Sequence, residues 1–434
     1  MKRLVMLSAA TVLAATMTTT PTSGATVKSA TAPRSGAASH GTLILVGGAL
    51  SDDNAEIYRR IVQASGGAHA RIGVITAASV PPSQDPQAGS PGAANSVTNG
   101  RFYTNILRRY GAGAVQWIPV DLDHPNAADS PEVAAQAASM TGFVFGGGDQ
   151  YRLVTTLLHG AAHTDTRLMA TIRARYAQGA LVAGSSAGAQ IQSGPDMVTG
   201  GTSYQGLRDG SRAGYFGDGS VLGDLPQGGF GLFTDGLIDT HFSANGRLGR
   251  AVRLAADTGH RRVFGLDPDT ALEVAPAGAG GRTLRVLGRH GVSVVDLRGA
   301  RVGSREGHWS ISGVRWSYLT DGAVYDPAAW TVRMPSGAVP LATADRDAAS
   351  PVEDVFDSAA ADHDRFSLPR AAADLAGSAR SVTVVGHSYE TSPVYAVVLR
   401  KAGGFAAYRV GSAVAFTGLT VEMYALPASA VAVR

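Results

Sequence analysis

The segment Ala180–Gln190, which reads Ala-Leu-Val-Ala-Gly-Ser-Ser-Ala-Gly-Ala-Gln, decides the interpretation of this chain. A short apolar run enters a Gly-x-Ser-x-Gly turn at Gly184–Gly188, and small residues typical of a helix start follow. Such an order of strand, sharp turn and helix strains the central residue, so its neighbours must be small. We therefore predict that Ser186 presents its hydroxyl at the carboxyl end of a buried strand. Since the chain contains 55 glycines, an ordinary glycine- and serine-rich loop would also explain the motif taken alone.

The chain before this turn alternates between apolar runs and helical patterns. Continuous apolar runs predict four strands buried on both faces, at 42–46, 71–76, 115–118 and 142–145. This alternation indicates an α/β fold with a mainly parallel sheet that is covered by helices on both faces. Sites in such sheets lie at the carboxyl ends of the strands. Three loops are therefore expected to converge there, namely Gly47-Gly48, Gly146–Gln150 and the turn at Ser186.

The loop Gly146–Gln150, Gly-Gly-Gly-Asp-Gln, follows the fourth predicted strand. Its glycines leave backbone N–H groups uncovered, so one of them could form an oxyanion hole together with the N–H of Ala187. A strand-to-helix turn with Asp149 as the N-cap explains the same residues, and the two interpretations are compatible. The loop lacks the Gly-Lys-Ser/Thr ending of a phosphate-binding P-loop.

A second informative segment, Leu237–Arg250, reads Leu-Ile-Asp-Thr-His-Phe-Ser-Ala-Asn-Gly-Arg-Leu-Gly-Arg. Its short strand would deliver Asp239 and His241 to one end of the sheet, and a helix is expected to start near Ala244. A histidine at a strand end can serve as general base to the serine. Arginines one turn apart on that helix can bind a carboxylate in a bidentate fork, at Arg247 and Arg250. A capping histidine and a solvated basic helix face are the alternatives.

Composition and the N-terminal segment narrow the class of protein. The chain has 434 residues, no cysteine and a net charge of +3, with scattered arginines rather than a basic patch. These features exclude disulfides and a cysteine nucleophile, and they argue against nucleic-acid binding. Residues 1–25 combine a basic start, a short apolar run and small residues, which predicts a signal peptide and a secreted protein. Residues 26–40 are interpreted as a linker, and no later segment is apolar enough to span a membrane.

The remaining sequence suggests two parts. Residues 41–325 are predicted to form a catalytic α/β domain and residues 326–434 a β-rich C-terminal region without recognisable chemistry. That region could cover the first domain, bind a surface or polymer, or add stability. No cofactor or metal is indicated: His159 and His163 lie four apart on a predicted helix, but without a third ligand a solvated face is the better interpretation.

Together, these motifs resemble the cyanophycinase and dipeptidase E family of serine peptidases, and more closely its cyanophycinase side, over roughly residues 41–290. The resemblance implies a class I glutamine amidotransferase-like, flavodoxin-like three-layer fold with serine in place of the cysteine nucleophile. It also implies Ser186 as nucleophile, His241 as base, and the N–H groups of Gly148 and Ala187 as oxyanion donors. The substrate-binding residues it implies are Gln150, Asp239, Thr240, Arg247 and Arg250.

The implied activity is that of a secreted serine peptidase or amidase acting on peptides or polymers with aspartyl or β-aspartyl linkages. The sequence departs from the family at several positions: Thr240 stands where glutamine is usual, Asn245 where arginine is usual, and Pro268 where an acidic residue is usual. For the third member of the triad the chain offers Asp196 or Asp209, and we prefer Asp209. A catalytically silent protein that binds an acidic ligand and an α/β-hydrolase-type esterase are the alternatives, and a homodimer is left open.

Overall fold

A computed structural model describes residues 41–216, 220–278, 281–349, 353–359 and 366–427. All of these residues belong to one compact unit. The predicted signal peptide at 1–25 and the predicted linker at 26–40 lie outside the described residues.

The helices and strands of the described residues follow each other in an α/β order in the first half and in a mostly β order in the second. The helices are α1 (Ala55–Ala64), α2 (Ser96–Arg109), α3 (Pro131–Ala138), α4 (Gln150–Leu157), α5 (Arg167–Ala177), α6 (Ala187–Gln190), α7 (Ser203–Asp209), α8 (Leu248–Thr258) and α9 (Ser367–Gly377). The first strands are β1 (Leu43–Val46), β2 (Arg71–Ile75), β3 (Ala114–Trp117), β4 (Gly142–Phe145), β5 (Leu158–His159), β6 (Thr164–Asp165), β7 (Leu181–Ser185), β8 (Met197–Thr199), β9 (Ser211–Ala213), β10 (Leu222–Leu225), β11 (Leu237–Asp239) and β12 (Arg262–Leu266). The later strands are β13 (Thr270–Pro276), β14 (Arg282–Gly288), β15 (Gly291–Asp296), β16 (Arg301–Arg305), β17 (His308–Thr320), β18 (Val324–Asp326), β19 (Thr331–Arg333), β20 (Val339–Pro340), β21 (Thr383–His387), β22 (Tyr395–Arg400), β23 (Ala406–Val410) and β24 (Ala413–Ala425).

The central sheet has nine strands in the order β19-β18-β14-β13-β1-β7-β4-β2-β3. Five neighbouring strands of this sheet, β1-β7-β4-β2-β3, pair in parallel. The four on the other side continue the sheet with antiparallel pairs. The prediction of an α/β fold with a mainly parallel sheet is therefore confirmed, and the elbow strand β7 lies in the middle of it.

Alternating side chains of β1 show why helices cover both faces of this sheet. Leu43 and Leu45 pack in one apolar cluster with α3, α4 and α5, whereas Ile44 and Val46 pack in another with α1 and α2. All four are at most 1% exposed, and burying each side chain contributes roughly 1.5–3 kcal/mol. The strand therefore contributes to two cores, and the result is a three-layer sandwich.

The second large sheet joins the predicted catalytic domain to the C-terminal region. It contains ten strands, and its main path runs β11-β12-β15-β17-β24-β22-β21. Long strands β17 and β24 pair along most of their length, and Trp316 packs edge-on against Phe416 with ring centroids 5.0 Å apart. The predicted boundary at 325/326 falls inside β18, a strand of the central sheet. The C-terminal region is β-rich, as predicted, and its strands complete a sheet that starts in the first part of the chain.

Two local predictions are corrected. The helix expected near Ala244 begins at Leu248, because the residues before it form turns in which the N–H of Arg247 donates to the carbonyl of Phe242. His159 and His163 do not lie on a helix: α4 ends at Leu157, His159 belongs to β5, and His163 has a φ of 48°. Within the described ranges, the helices are all too short or too polar to cross a membrane.

Candidate active site

The turn after β7 has the geometry that the Gly-x-Ser-x-Gly motif predicts. Ser186 has φ 54° and ψ −117°, a strained conformation between the buried strand and α6. Its flanking glycines are required by close packing: a Cβ on Gly184 would lie 2.0 Å from the carbonyl oxygen of Gly188. A Cβ on Gly188 would lie 2.2 Å from the carbonyl oxygen of Phe145. The turn is therefore locked against β4, with the Ser186 side chain at the carboxyl edge of the sheet.

His241 meets this serine from the loop that follows β11. The distance between His241 Nε2 and Ser186 Oγ is 2.9 Å, within hydrogen-bonding range. The backbone N–H of His241 donates to the carbonyl oxygen of Gly47 at 2.7 Å, so the loop after β1 holds the histidine in place. Gln190 of α6 donates from Nε2 to the carbonyl oxygen of Ile238 at 2.7 Å, which ties the elbow helix to β11.

The surroundings of His241 favour its neutral form. Burial, together with the positive charges of Arg247 and Arg250, lowers the pKa of His241 to about 4, although Asp239 acts in the opposite direction. An imidazole with this pKa is unprotonated at neutral pH and has a lone pair available for the serine proton. The electrostatics therefore fit a general base.

Beside the histidine, Asp239 binds two arginines. Arg250 donates to both carboxylate oxygens, from Nε at 2.7 Å and from Nη2 at 2.6 Å. Arg247 donates from Nη1 to the same carboxylate at 3.3 Å and to the carbonyl oxygen of Thr240 at 2.6 Å. Asp239 is 1% exposed and Arg250 is 6% exposed, whereas the Arg247 side chain is 22% exposed. One carboxylate between two guanidinium groups leaves a net positive charge beside the serine.

Arg250 is engaged on its remaining side as well. Its Nη1 donates to the carbonyl oxygens of Gly200 and Gly201 at 2.9 and 2.8 Å. Burial, together with the charge of the neighbouring Arg250, lowers the pKa of Arg247 to about 10. Arg250 therefore supports Asp239, and Arg247 is the arginine placed to meet a ligand.

A cavity of about 540 Å³ surrounds the serine and the histidine, a size within the range of small-molecule sites. The structure brings most of the predicted residues to it, namely Gly148, Gln150, Ser186, Ala187, Thr240, His241, Arg247 and Arg250. Asp239 lies beneath the arginines rather than on the cavity wall.

The loop Gly146–Gln150 passes directly beside the elbow. A Cβ on Gly147 would lie 3.4 Å from the Cβ of Ser186, and Gly148 has a φ of 140°. The Asp149 carboxylate accepts from the N–H of Tyr151 at 2.8 Å and so caps α4. The loop is therefore a strand-to-helix turn with Asp149 as the N-cap, and it lies next to the serine.

Neither candidate for the triad acid is bound to His241. Asp209 is the last residue of α7, and its carboxylate accepts from Nε and Nη2 of Arg208 at 2.8 and 2.7 Å. Its side chain is 40% exposed. Asp196 accepts from His260 Nε2 at 2.8 Å instead. The preference for Asp209 is corrected on geometric grounds, because α7 ends at the surface and contributes Gln205, not Asp209, to the cavity.

Several cavity residues were not anticipated from the sequence. They carry no local sequence pattern that points to the site: Tyr215, Phe216, Phe356, Asp357, Ser358 and Glu390. Tyr215 stacks on Tyr151 with ring centroids 4.4 Å apart, and its hydroxyl donates to Asp149. The last four come from the C-terminal region, so this region forms part of the cavity wall.

Comparison with known proteins finds relatives among the peptidases. The model of peptidase family S51 matches residues 91–276. Cyanophycinase from Synechococcus elongatus is 30% identical over 294 residues, covering 66% of this chain and 79% of that protein. Cyanophycinase from Trichormus variabilis is 30% identical over 258 residues, covering 59% of this chain and 74% of that protein.

A solved peptidase from an acI-B1 actinobacterium is 20% identical and covers 66% of this chain and 97% of its own, with a TM-score of 0.42. Family membership is therefore decided by the sequence relatives, which align over most of their length. Their identity and the matched family model show that the chain belongs to peptidase family S51, as a cyanophycinase-like serine-type peptidase.

Proposed function

We propose that the protein is a peptidase or amidase that cleaves peptides with aspartyl or β-aspartyl linkages, with Ser186 as nucleophile and His241 as base. The observation that carries this proposal is the distance of 2.9 Å between His241 Nε2 and Ser186 Oγ. The two residues lie on separate loops and both have positive φ angles, of 48° and 54°. Strained backbone at two residues in contact is typical of catalytic sites.

The proposed reaction follows from this contact. His241 Nε2 takes the hydroxyl proton while Ser186 Oγ attacks the scissile carbonyl carbon. The N–H groups of Gly148 and Ala187, which border the same cavity, stabilise the negative oxygen of the tetrahedral intermediate. Collapse of the intermediate breaks the C–N bond, and the histidine gives its proton to the leaving amine. Water then hydrolyses the acyl-enzyme through the same two residues.

The charge beside the serine supports a substrate with a free carboxylate. The cluster of Asp239, Arg247 and Arg250 carries one net positive charge, and Arg247 has its guanidinium at the cavity. An aspartyl or β-aspartyl residue on the acyl side of the scissile bond offers such a carboxylate. Arginine binds carboxylates in a charge-assisted fork, which would hold the scissile carbonyl near Ser186.

The test is hydrolysis of β-aspartyl dipeptides, their α-aspartyl isomers and cyanophycin, together with labelling by a fluorophosphonate probe. Ser186→Ala should abolish labelling and lower kcat by about 10³-fold or more. The adjacent Ser185→Ala is the matched control and should keep both, since Ser185 belongs to β7 and is 7% exposed. Unchanged turnover in Ser186→Ala would refute the assigned nucleophile. If the probe labels neither the wild type nor the variants, the result would favour a catalytically inactive protein that binds an acidic ligand.

We further propose that the protein is exported, on the basis of the basic, apolar and small-residue order of residues 1–25. Amino-terminal sequencing of the protein from culture medium should give a start close to Ala25. Recovery of the full-length chain inside the cells alone would contradict export.

A further inference from the structure

We propose that Ser79 is a positioning residue, which fixes the peptide between Gly147 and Gly148 so that the N–H of Gly148 is presented to the oxyanion. Because Gly148 is one of the two proposed oxyanion donors, this role rests on the proposed peptidase function. Ser79 follows β2 in the chain and is 5% exposed. It is not among the described residues that border the cavity, whereas Gly148 and Ser186 are. Ser79 therefore acts on the reaction through the loop that it binds.

The hydroxyl of Ser79 joins helix α2 to the loop that follows β4. It donates to the carbonyl oxygen of Gly147 at 3.3 Å and accepts from Asn99 Nδ2 at 2.8 Å. A carbonyl oxygen only accepts and an amide N–H only donates, so these two partners determine where the hydroxyl hydrogen points. The N–H of Ser79 donates to the carbonyl oxygen of Thr76 at 3.0 Å, which holds the serine backbone in the turn after β2. Asn99 thus directs the hydroxyl hydrogen of Ser79 to Gly147.

The bond to Gly147 sets the direction of the next N–H group. In a trans peptide the carbonyl and the following N–H point to opposite sides, so a Gly147 carbonyl turned to Ser79 directs the N–H of Gly148 away from Ser79. The N–H groups of Gly146 and Asp149 donate to backbone carbonyl oxygens at 2.9 and 2.8 Å. Among the described residues, by contrast, no acceptor meets the N–H of Gly148. Gly148 therefore has an N–H available for the oxygen of a ligand in the cavity.

The turn after β2 also holds the loop on the far side of this peptide. A Cβ on Gly148 would lie 2.2 Å from the carbonyl oxygen of Ala78 and 2.9 Å from the backbone nitrogen of Ser79, so the two backbones touch there. The same carbonyl oxygen accepts from the N–H of Asp149 at 2.8 Å. Gly148 has a φ of 140°, a conformation open to glycine, so these contacts alone do not stop its peptide from rotating. The bond from Ser79 supplies that restraint.

A donor that is held in place before the reaction stabilises the transition state without reorganisation. Since the negative charge on the substrate oxygen develops only in the transition state, the restraint should affect kcat and not substrate binding. Loss of a complete oxyanion donor lowers kcat by about 10²–10³-fold. Ser79→Ala loosens the donor Gly148 rather than removing it. It should therefore lower kcat on the best aspartyl peptide by about tenfold or more and keep KM within about twofold of the wild type.

Ser65→Ala is the matched control. Ser65 is 2% exposed, and its hydroxyl also donates to a backbone carbonyl oxygen, that of Ile61 at 2.9 Å. It lies beside Gly142 at the start of β4, at the opposite edge of the sheet from Ser186. Ser65→Ala should therefore lower Tm in a similar way but keep kcat. Equal losses of kcat in Ser65→Ala and Ser79→Ala would overturn the role of Ser79, because the loss of any buried hydroxyl bond would then explain both.

Asn99→Ala tests the orientation of the hydroxyl while Ser79 stays in place. It should lower kcat less than Ser79→Ala does. Adding it to Ser79→Ala should lower kcat no further, because Asn99 acts through Ser79. Thermal unfolding of each variant checks that the fold is retained. Independent losses that multiply in the double variant would overturn the coupling between Asn99 and Ser79.

The rate of labelling by the fluorophosphonate probe separates the two proposals, because this reaction needs no peptide substrate. Ser186 Oγ forms a bond to phosphorus as fluoride leaves, His241 Nε2 takes the hydroxyl proton, and the phosphoryl oxygen takes the place of the oxyanion. The rate constant should fall in Ser79→Ala by about the same factor as kcat and keep the wild-type value in Ser65→Ala.

Labelling of Ser79→Ala at the wild-type rate would overturn the role of Ser79 and leave the peptidase function intact. If labelling depends on Ser79 but the wild type hydrolyses no aspartyl peptide, the proposed substrates fail and the role of Ser79 stands. A wild type that is neither labelled nor active on these peptides overturns both.

Discussion

Gly48 and His241 are packed so closely that the glycine determines where the imidazole lies. A Cβ on Gly48 would be 2.1 Å from His241 Nε2, the nitrogen that contacts Ser186. Gly48 also has a φ of 105°, a backbone conformation that favours glycine. The loop at the end of β1 therefore both binds the histidine backbone through Gly47 and leaves the space for its ring.

Gly48→Ala should therefore displace the His241 ring and lower kcat/KM by about 100-fold, because small misplacements of a catalytic group are costly. Gly111→Ala is a matched control, since Gly111 has a similar φ of 96° and no described atom within 4 Å of its added Cβ. The control should share the backbone strain, measured as a lower Tm, but keep its activity. Equal activity loss in the two variants would show that backbone strain, not the histidine contact, is responsible.

The pH dependence of the wild type provides an independent check on the base. Because His241 must be neutral to accept a proton and its pKa is lowered to about 4, kcat/KM should rise with pH through about 4 and then stay level to neutrality. An acid limb near the ordinary histidine value of 6.5 would contradict the buried environment.

The same depressed pKa affects stability. Between pH 4 and pH 6.5 the unfolded chain binds more protons at this histidine than the folded chain does. The contribution of His241 to the stability of the folded chain should therefore be present above about pH 6.5 and be lost as the pH falls to about 4. Urea unfolding of the wild type and of His241→Gln across this range measures the effect. The free energy of unfolding should depend less on pH in the variant than in the wild type.

Much of the fold could be predicted because its signals are local. The apolar runs of β1, β2, β3 and β4 and the glycines around Ser186 each report on their own surroundings. The pairing of β17 with β24 could not be predicted, because it joins strands distant in sequence through a shared core. Phe356 and Glu390 were missed for the same reason: only the folded sheet brings them to the cavity.

The error at Asp209 has a different origin. The sequence places a carboxylate at a suitable distance along the chain from Ser186, but Asp209 lies one turn beyond Gln205 on α7, about 6 Å further along the helix axis. Gln205 therefore borders the cavity, whereas Asp209 lies at the exposed end of the helix and binds Arg208. Spacing alone therefore could not decide which side chain approaches the histidine.

Asp209→Asn should accordingly keep kcat/KM within about twofold of the wild type, as exposed substitutions away from a site usually do. The exposed pair with Arg208 contributes little to stability, so Tm should change little as well. Steady-state kinetics on the best β-aspartyl substrate measures this. A loss of about 100-fold with an intact fold would instead restore Asp209 as the acid that activates His241.

Arg247→Gln should move the acid limb of the pH profile upward. After burial, the charge of Arg247 is the largest cause of the low pKa of His241, so its removal should raise that pKa. KM for a substrate carboxylate should rise as well, because Arg247 is the arginine at the cavity. Arg253 lies on the same helix and pairs with Asp257. Arg253→Gln is therefore the control, and it should leave the acid limb in place. An unmoved limb in Arg247→Gln would show that the charge of Arg247 does not contribute to the low pKa of His241.

Asp239→Asn should be the most destabilising of the conservative changes at the site. The substitution keeps the shape of the side chain but leaves Arg247 and the buried Arg250 without their shared carboxylate. Removing one member of a buried ion pair typically costs about 3–5 kcal/mol, because the remaining charge stays buried.

Asp345→Asn is matched in geometry, since Arg380 also donates from Nε and Nη2 to two carboxylate oxygens, at 2.8 and 2.9 Å. That pair is exposed and screened by water, so its loss should leave the urea midpoint unchanged. Similar midpoints in the two variants would show that Asp239 contributes little to the fold and that the arginines are held by the carbonyl groups of Gly200, Gly201 and Thr240 instead.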